Sequence, residues 1–398
     1  MTRAVRVVDA GRPAEVFGAL RESLEGTGGA VVPRSGTGLV GASAGATPEP
    51  EGTPGWPEPG ETVAQNVALV IETSGSTGAP KRVALSADAL LASAAASAGA
   101  LGGQGQWLLA LPAHYVAGAQ VLVRSLAAET EPVYYGSGHF DPVRFAKVAG
   151  AMSHDLRYTS LVPVQLARLV ESAEAGARPV ADAVRRFDGV LVGGQALSAE
   201  LRARAEQLGA RIVTTYGSSE TAGGCVYDGV PIGTTVVREA AGLLEISGPV
   251  LAEGYLGDPE RSAAAFHEAD RTRWYRTGDL GNVSIDGHVT VLGRSDNVII
   301  SGGEKVLLDA VERIVQDVPG LGHAVVVGAP HTEWGQVPVV VTEHATAVPL
   351  DELRRRVADR LGRAAAPARI VTVERLPRLA SGKPDRVELA AVVQSQGA

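Results

Sequence analysis

A run of hydroxyl-bearing residues and glycines near residue 75 is the strongest chemical signal in the sequence. The run consists of Thr73, Ser74, Gly75, Ser76, Thr77 and Gly78, and Lys81 follows it. Glycines turn tightly and bring amides close to an anion, hydroxyls donate hydrogen bonds, and a lysine adds positive charge. The segment therefore predicts a phosphate-binding loop. A serine- and glycine-rich surface linker is the alternative. It is not a Walker A loop, because Lys81 lies three residues after Gly78 and precedes Arg82.

The elements that must position this loop alternate along the chain. Apolar, β-favouring runs predict strands at residues 67–72, 190–192, 211–214 and 324–327, and periodic apolar residues predict helices at 163–173 and 199–208. Proline-rich residues 45–60 read as a loop or linker. The order strand, helix, strand favours an α/β fold with parallel strand pairing.

The pattern of apolar and charged residues changes near residue 297, after a polar and glycine-flanked stretch at residues 293–297. Beyond it we expect a helix at residues 306–315, a charged helix at 350–361 and a strand at 370–373. These elements predict a second, smaller α/β domain. We place the large domain at residues 1–295 and the small domain at residues 296–398.

Composition excludes several classes of protein. The 398 residues carry 36 Lys and Arg against 44 Asp and Glu, a formal charge of −8, which argues against a nucleic-acid partner. The single cysteine, Cys225, permits neither an intrachain disulfide nor a multi-thiolate metal site. No apolar run is long enough to span a membrane, and we expect a cytoplasmic protein.

Six further motifs follow the loop in a characteristic order. They lie at residues 111–118 (LPAHYVAG), 192–197 (VGGQAL), 216–221 (YGSSET), 275–281 (YRTGDLG), 293–296 (GRSD) and 377–383 (PRLASGK). Together with the loop they resemble the motifs of the adenylate-forming superfamily, which includes acyl- and aryl-CoA ligases. The resemblance covers residues 67–390 and implies a large N-terminal α/β domain of layered sheets and helices with a small mobile C-terminal domain. The loop starts early in the chain, which implies an abbreviated N-terminal subdomain.

The resemblance implies how ATP and Mg²⁺ are bound. It implies that adenine binds to Gly193, Gly194, Gln195 and Tyr216, and that the ribose binds to Asp279 and Arg294. It implies further that Ser219 contacts the α-phosphate and that Glu220 binds the metal. Lys383 would be the catalytic lysine of the first step, in which the acid attacks the α-phosphate of ATP. A carboxylate suits Mg²⁺, a hard cation that prefers oxygen ligands, and a lysine would ease the approach of two anions. Outside such motifs, these residues are more often core or surface residues.

The resemblance also implies a hinge at Asp296, about which the small domain rotates between two arrangements. The first presents Lys383 for adenylation. The second opens a channel for coenzyme A and brings Gly302 and Gly303 near the reacting centre, where small residues permit close approach. Ile300 stands where many relatives carry lysine, which puts the contacts on the coenzyme A side in doubt.

His114 and Tyr115 fall where relatives place the gate of the acyl pocket, and Gly217, Ser218 and Thr221 are further candidates for contact with the acid. A neighbouring imidazole can orient a carboxylate, although a core histidine is the plainer interpretation. Cys225 lies beside two glycines with no paired base in view, so we interpret it as a small packing residue rather than a nucleophile.

Within the superfamily, residues 111–126, 159–169 and 215–234 most closely resemble 2-succinylbenzoate–CoA ligases of the actinobacterial type, which act in menaquinone biosynthesis. The implied reaction is ATP-dependent adenylation of 2-succinylbenzoate followed by thioester formation with CoA, the other small-molecule substrate. A CoA ligase for another aromatic or short-chain acid and a non-catalytic nucleotide-binding relative are the alternatives. The sequence is compatible with a homodimer.

Overall fold

The structure is a computed structural model that describes residues 1–35, 60–73, 81–343, 347–378 and 384–396. Ser74 to Gly78, Lys383 and most of the proline-rich stretch at residues 45–60 lie outside the described residues. The assignments made for them therefore remain predictions from the sequence.

The described elements confirm an α/β fold. Residues up to 109 form β1 (Thr2–Asp9), α1 (Pro13–Leu24), β2 (Ala30–Arg34), β3 (Thr62–Ala64), β4 (Val67–Thr73), β5 (Lys81–Ser86), α2 (Ala87–Leu101) and β6 (Gln106–Leu109). The middle of the chain forms α3 (Val116–Ala127), β7 (Val133–Tyr134), α4 (Pro142–Ala149), β8 (Arg157–Leu161), α5 (Pro163–Glu174), α6 (Arg178–Arg185), β9 (Gly189–Val192), α7 (Ala199–Gln207), β10 (Ile212–Ser218), β11 (Gly223–Tyr227) and β12 (Val230–Pro231).

The remaining elements complete the large domain and build the small one. Residues 236–294 form β13 (Val236–Ala240), β14 (Leu243–Ser247), β15 (Gly254–Tyr255), α8 (Pro259–Ala265), β16 (Phe266–Ala269), β17 (Thr272–Val283) and β18 (Val289–Arg294). The small domain contains β19 (Val298–Ser301), β20 (Glu304–Leu307), α9 (Leu308–Gln316), β21 (Val325–His331), β22 (Gly335–Thr342), α10 (Leu350–Leu361), β23 (Arg369–Thr372) and α11 (Arg386–Ser395).

The first sheet of the large domain presents the predicted phosphate loop. Its strand order is β15-β5-β4-β2-β1-β3, in which β1, β2 and β4 are parallel. Strand β5 returns antiparallel to β4, and Thr73 pairs directly with Lys81. The loop is thus the connection of a β-hairpin whose two ends are fixed in register by the sheet.

The second sheet positions the remaining motifs. Its order is β12-β11-β10-β9-β8-β6-β7, and the strands from β7 to β10 are parallel. Both faces are buried, by α2 and α3 on one side and by α4 to α7 on the other, which explains the continuous apolar run Gly189–Val192. The carboxyl ends of β8, β9 and β10 meet at one edge, where ligands of open α/β sheets bind.

The third sheet and the small domain follow. The third sheet has the order β13-β14-β17-β16, with β18 paired to β17. The small domain has the order β20-β19-β22-β21, with β23 parallel to β22. Helices α9, α10 and α11 cover this sheet with two apolar clusters of their own.

All nine predicted helices and strands are confirmed, with each end within four residues of its expected position. The parallel pairing is confirmed for β1, β2 and β4 of the first sheet, for β6 to β10 of the second and for β22 with β23, whereas β5, β11 and the third sheet run antiparallel. The helix expected at residues 306–315 begins later, at Leu308, because Val306 pairs with Ile299 in the β19–β20 hairpin. The apolar spacing there joins the end of a strand to the start of a helix. Within the described residues, no helix combines the length and apolar character that crossing a membrane requires.

Candidate active site

The phosphate end of the site is marked by Lys81 at the start of β5. Its Nζ lies 5.3 Å from the centre of the Tyr255 ring, within the range of a cation–π contact. Tyr255 reaches this place because β15 pairs with β5, with Tyr255 opposite Val83. Lys81 thereby lies over an aromatic face at the point where the predicted phosphate loop returns to the sheet.

Glu220 lies on a single helical turn, Ser219–Thr221, that follows β10 directly. The residue is only 6% exposed, and its Oε1 accepts a hydrogen bond of 2.8 Å from the Tyr255 hydroxyl. Burial, followed by the Glu220 charge, raises the pKa of Tyr255, so the phenol stays protonated and donates. No hydrogen bond within the described part of the chain reaches Oε2, which leaves that oxygen for an external ligand.

Tyr216, Asp279 and Arg294 form a second cluster beside this turn. The Tyr216 hydroxyl donates to Oδ2 of Asp279 over 2.6 Å, and Arg294 Nη1 donates to Oδ1 over 3.3 Å. Asp279 and Arg294 face each other across β17 and β18, so the sheet register brings together residues of two consecutive motifs. Burial raises the pKa of both Tyr216 and Asp279, and Arg294 opposes the shift at Asp279.

The glycines expected at the adenine follow β9. A Cβ on Gly193 would lie 2.4 Å from Oγ1 of Thr215, so only glycine lets these two segments approach this closely. Gly194 has a φ of +83°, which opens the turn, and Gln195 is exposed at its end. The three residues therefore lie at the edge of the sheet next to the strand that carries Tyr216.

The candidates for the acyl pocket lie around the start of α3. The His114 and Tyr115 rings are 4.1 Å apart, and Nδ1 of His114 is buried without a hydrogen-bond partner in the described residues. Burial lowers the pKa of His114, so the ring is neutral near pH 7. A neutral imidazole can exchange hydrogen bonds with a carboxylate but supplies no positive charge to it.

Two glycines, Gly217 near the end of β10 and Gly223 at the start of β11, lie in contact, with Gly223 close to α3. Gly217 and Gly223 pack backbone to backbone, since a Cβ on Gly217 would lie 2.1 Å from the Gly223 carbonyl oxygen. A Cβ on Gly223 would face Gln120 of α3 at 3.3 Å. The Gln120 amide donates to the Ala222 carbonyl over 2.8 Å, and its buried Oε1 has no partner in the described residues. Gln120 was not among the residues expected from the sequence.

Thr221 and Ser218 hold the shape of the turn. The Thr221 hydroxyl donates to the Gly223 carbonyl over 2.8 Å and accepts from the Ser218 amide over 2.9 Å, and Thr221 is fully buried. Burial raises the pKa of the Cys225 thiol to about 12, which agrees with a packing residue rather than a nucleophile.

The expected hinge residue adjoins the second cluster, and the expected coenzyme A residues lie on a hairpin of the small domain. Asp296 accepts two hydrogen bonds from the Arg294 guanidinium, at 3.2 and 3.1 Å. Gly302 and Gly303 form the turn of the β19–β20 hairpin with φ values of +56° and +85°, and Gly302 packs against Trp334 of the same domain. In this structure the turn needs glycine for its conformation, independently of any ligand.

Comparison with known proteins gives the family. The chain matches AMP-binding enzymes over residues 31–243 and the AMP-binding enzyme C-terminal domain over residues 310–383. It is 39% identical to a probable 2-succinylbenzoate–CoA ligase of Mycobacterium tuberculosis over 337 residues, covering 83% of this chain and 85% of that protein. It is 32% identical to the 2-succinylbenzoate–CoA ligase of Geobacillus kaustophilus over 360 residues, covering 83% and 70%.

Solved structures agree with this assignment. The o-succinylbenzoate CoA synthetase of Bacillus subtilis, in complex with its acyl-adenylate intermediate, superposes with a TM-score of 0.70 at 27% identity over 81% of this chain and 69% of that chain. The amide bond synthetase McbA of Marinactinospora thermotolerans gives 0.72 at 25% identity over 98% and 80%. The chain is a member of the AMP-binding enzyme family.

Proposed function

We propose that the protein is a 2-succinylbenzoate–CoA ligase of menaquinone biosynthesis. In the first step a carboxylate oxygen of the acid attacks the α-phosphorus of ATP, which forms the acyl adenylate and releases pyrophosphate. In the second step the CoA thiol attacks the acyl carbon, loses its proton and displaces AMP. An unreactive carboxylate is thereby converted into a reactive acyl donor before the thioester forms.

The observation that supports this proposal best is that one short segment, residues 216–221, contributes to all three expected parts of the site. Within one strand end and one turn, the chain passes from Tyr216 of the expected nucleotide cluster to Glu220, which Tyr255 links to Lys81. Gly217 in the same stretch packs against Gly223, which faces α3. Nucleotide, phosphate and acyl regions therefore adjoin, as the transfer of AMP to an acid requires.

Glu220 has the properties expected of a ligand to Mg²⁺. It offers a carboxylate oxygen that no hydrogen bond occupies within the described residues, and Mg²⁺ is commonly held by one or two carboxylates together with substrate phosphates. Bound there, Mg²⁺ would supply positive charge to the phosphates of ATP. We assign ATP phosphates to Thr73, Lys81 and Ser219, ribose to Asp279 and Arg294, and adenine to Tyr216 with the turn after β9.

We also propose a boundary at residues 295 and 296 with a hinge at Asp296. Among the described residues, the apolar clusters of the large domain end at Val291 and those of the small domain begin at Ile299. The intervening segment therefore belongs to neither core. Rotation there would let Lys383 and the Gly302–Gly303 turn serve the two half-reactions in turn.

A panel of acids tests the function. Purified protein with ATP and Mg²⁺ should release pyrophosphate in the presence of 2-succinylbenzoate, and CoA should then yield 2-succinylbenzoyl-CoA and AMP. Benzoate, short-chain acids and 2-succinylbenzoate esterified at one carboxylate serve as controls. Turnover with another acid but none with 2-succinylbenzoate would replace the proposed substrate, and formation of no adenylate with any acid would overturn the assignment as a ligase.

The acceptor can be tested in the same assay. Because one structural neighbour is an amide bond synthetase, amines should be offered in place of CoA. Thioester formation without amide formation is the expected result. We further propose that the enzyme acts in the cytoplasm and forms a homodimer, and fractionation of cells and light scattering of the purified protein test these two points.

A further inference from the structure

Tyr255 lies between the two charged groups that the proposed function assigns to ATP phosphates and Mg²⁺. Its hydroxyl donates to Glu220 Oε1 over 2.8 Å, and its ring centre lies 5.3 Å from Lys81 Nζ. One side chain thus contacts the carboxylate by its edge and the ammonium group by its face. Lys81 begins β5 of the first sheet, whereas Glu220 lies on the turn that follows β10 of the second sheet.

The backbone around Tyr255 is held at several points. On one side of Tyr255 the Glu253 amide donates to Ala84 over 2.9 Å, and on the other the Leu256 amide donates to Arg82 over 2.7 Å, so the segment is fixed to β5. The Ala252 amide donates to the backbone carbonyl of Glu220 over 2.8 Å, which joins the same segment to the turn that carries the carboxylate.

Tyr255 is also held by contacts of its own amide and ring. The Tyr255 amide donates to Oγ of Ser262 in α8 over 2.8 Å, and the ring packs against Phe266 at 6.0 Å. Tyr255 is 6% exposed. A phenol held in this way has little rotational freedom to lose when a ligand binds, so its hydroxyl can keep Glu220 Oε1 in one position.

We propose that Tyr255 is a positioning residue that fixes Glu220 for the metal and Lys81 for the phosphates of ATP. The inference deepens the proposed function and rests on it. With Oε1 held by the phenol, the carboxylate presents Oε2, the oxygen without a partner in the described residues. Without the hydroxyl, Glu220 would rotate more freely, and metal binding would have to restrict it.

The test separates the hydroxyl from the ring. Tyr255→Phe keeps the ring and removes the hydroxyl that donates to Glu220, so the dissociation constant of ATP should rise about tenfold when Mg²⁺ is present, the range expected for a hydrogen bond to a charged group. Calorimetric binding of ATP with EDTA in place of Mg²⁺ should be unchanged. Tyr255→Leu also removes the aromatic face, so binding of ATP should weaken in both conditions.

A matched control is Tyr158→Phe. Tyr158 is also buried and donates to the carbonyls of Leu101 and Gly103, each over 3.2 Å, so this variant loses a buried hydroxyl away from Glu220. We expect no change in its Mg²⁺ dependence. In the adenylation assay, Tyr255→Phe should require about tenfold more Mg²⁺ for half-maximal rate, with the KM for the acid unchanged.

Three results would overturn the inference: an unchanged Mg²⁺ dependence in Tyr255→Phe, an equal change in Tyr158→Phe, or an equal loss of ATP affinity with and without Mg²⁺ in Tyr255→Phe. A double-mutant cycle adds a further check. In a Glu220→Gln background the loss of the Tyr255 hydroxyl should have no additional effect on Mg²⁺ dependence, and an additive effect would contradict the link. A wild-type protein that forms no adenylate would instead overturn the proposed function.

Discussion

The burial of His114 makes the free energy of unfolding depend on pH. The unfolded chain gives this ring an ordinary pKa near 6.5, whereas burial lowers the pKa in the folded protein. Between the two values the unfolded state binds a proton that the folded state does not, so stability is lost as the pH falls through that window. Relative to His114→Asn, the wild type should lose free energy of unfolding between pH 7.5 and pH 5.5. Urea titrations at the two pH values measure the difference, and parallel losses in both proteins would show that His114 does not contribute.

Lys383 provides a test at the same scale that separates the two half-reactions. If its charge stabilises the attack of the acid on the α-phosphate, Lys383→Ala should slow adenylation by roughly 10²- to 10³-fold, as the loss of a charge-stabilising group commonly does. Thioester formation from synthetic acyl adenylate should change little. Lys147→Ala is the matched control, since Lys147 is exposed on α4. Equal losses in both half-reactions would contradict the assigned role.

At the scale of elements, the ion pair between Glu312 and Arg386 binds the backbone of the edge strand β21. The Val326 amide donates to Glu312 Oε2 over 2.8 Å, and Arg386 donates to the Val326 carbonyl over 2.8 Å and to Glu312 Oε1 over 2.9 Å. An edge strand exposes unpaired backbone groups, and here side chains of α9 and α11 satisfy those of Val326. Burial raises the pKa of Glu312, and the charge of Arg386 opposes that shift.

Glu312→Ala should therefore destabilise the small domain. It leaves the Val326 amide without an acceptor and removes one of the acceptors of the Arg386 guanidinium, a loss of about 2 kcal/mol for partly buried groups. Amide hydrogen exchange in β21 and α11 should accelerate by roughly thirtyfold, the equivalent of that energy. Glu352→Ala is the control, because Glu352 forms an exposed i, i+4 pair with Arg356 on α10 and such pairs contribute little. Unchanged exchange in β21 would show that solvent replaces the carboxylate.

The sequence predicts what depends on local pattern and leaves out what depends on distant contacts. The run at residues 190–192 is apolar throughout because the strand is covered on both faces, and the turn after it ends in glycines because Thr215 approaches so closely. Tyr255 lies 35 residues from Glu220, and no spacing rule links the two. The position of Gln120 opposite Gly223 likewise depends on how α3 crosses the sheet. The start of α9 was misplaced because one apolar pattern spans two elements.

At the scale of the whole molecule, α9 of the small domain binds the end of β18 of the large domain. The Arg313 guanidinium donates to the carbonyls of Val291 and Leu292 over 3.1 and 2.8 Å, and Asp309 Oδ2 accepts from the Arg294 amide over 3.0 Å. The other oxygen of Asp309 lies 3.4 Å from Arg386, which follows Lys383 by three residues. Through Asp309, Arg386 is thus linked to the backbone of Arg294, a residue assigned to the ribose.

The proposed rotation about Asp296 would require the Arg313 hydrogen bonds to break, which leads to the last prediction. Arg313→Ala should weaken the present arrangement by about 1.5 kcal/mol, the lower range for hydrogen bonds that involve a charged group. If the present arrangement is the one that serves the first half-reaction, adenylation should then slow by roughly tenfold, because that arrangement is less populated. Thioester formation from synthetic adenylate should be unchanged or faster. Arg356→Ala, on the exposed face of α10, controls for the loss of an arginine. If Arg313→Ala instead slowed only thioester formation, the present arrangement would belong to the second half-reaction, and the contacts of α9 would favour the opposite end of the domain rotation.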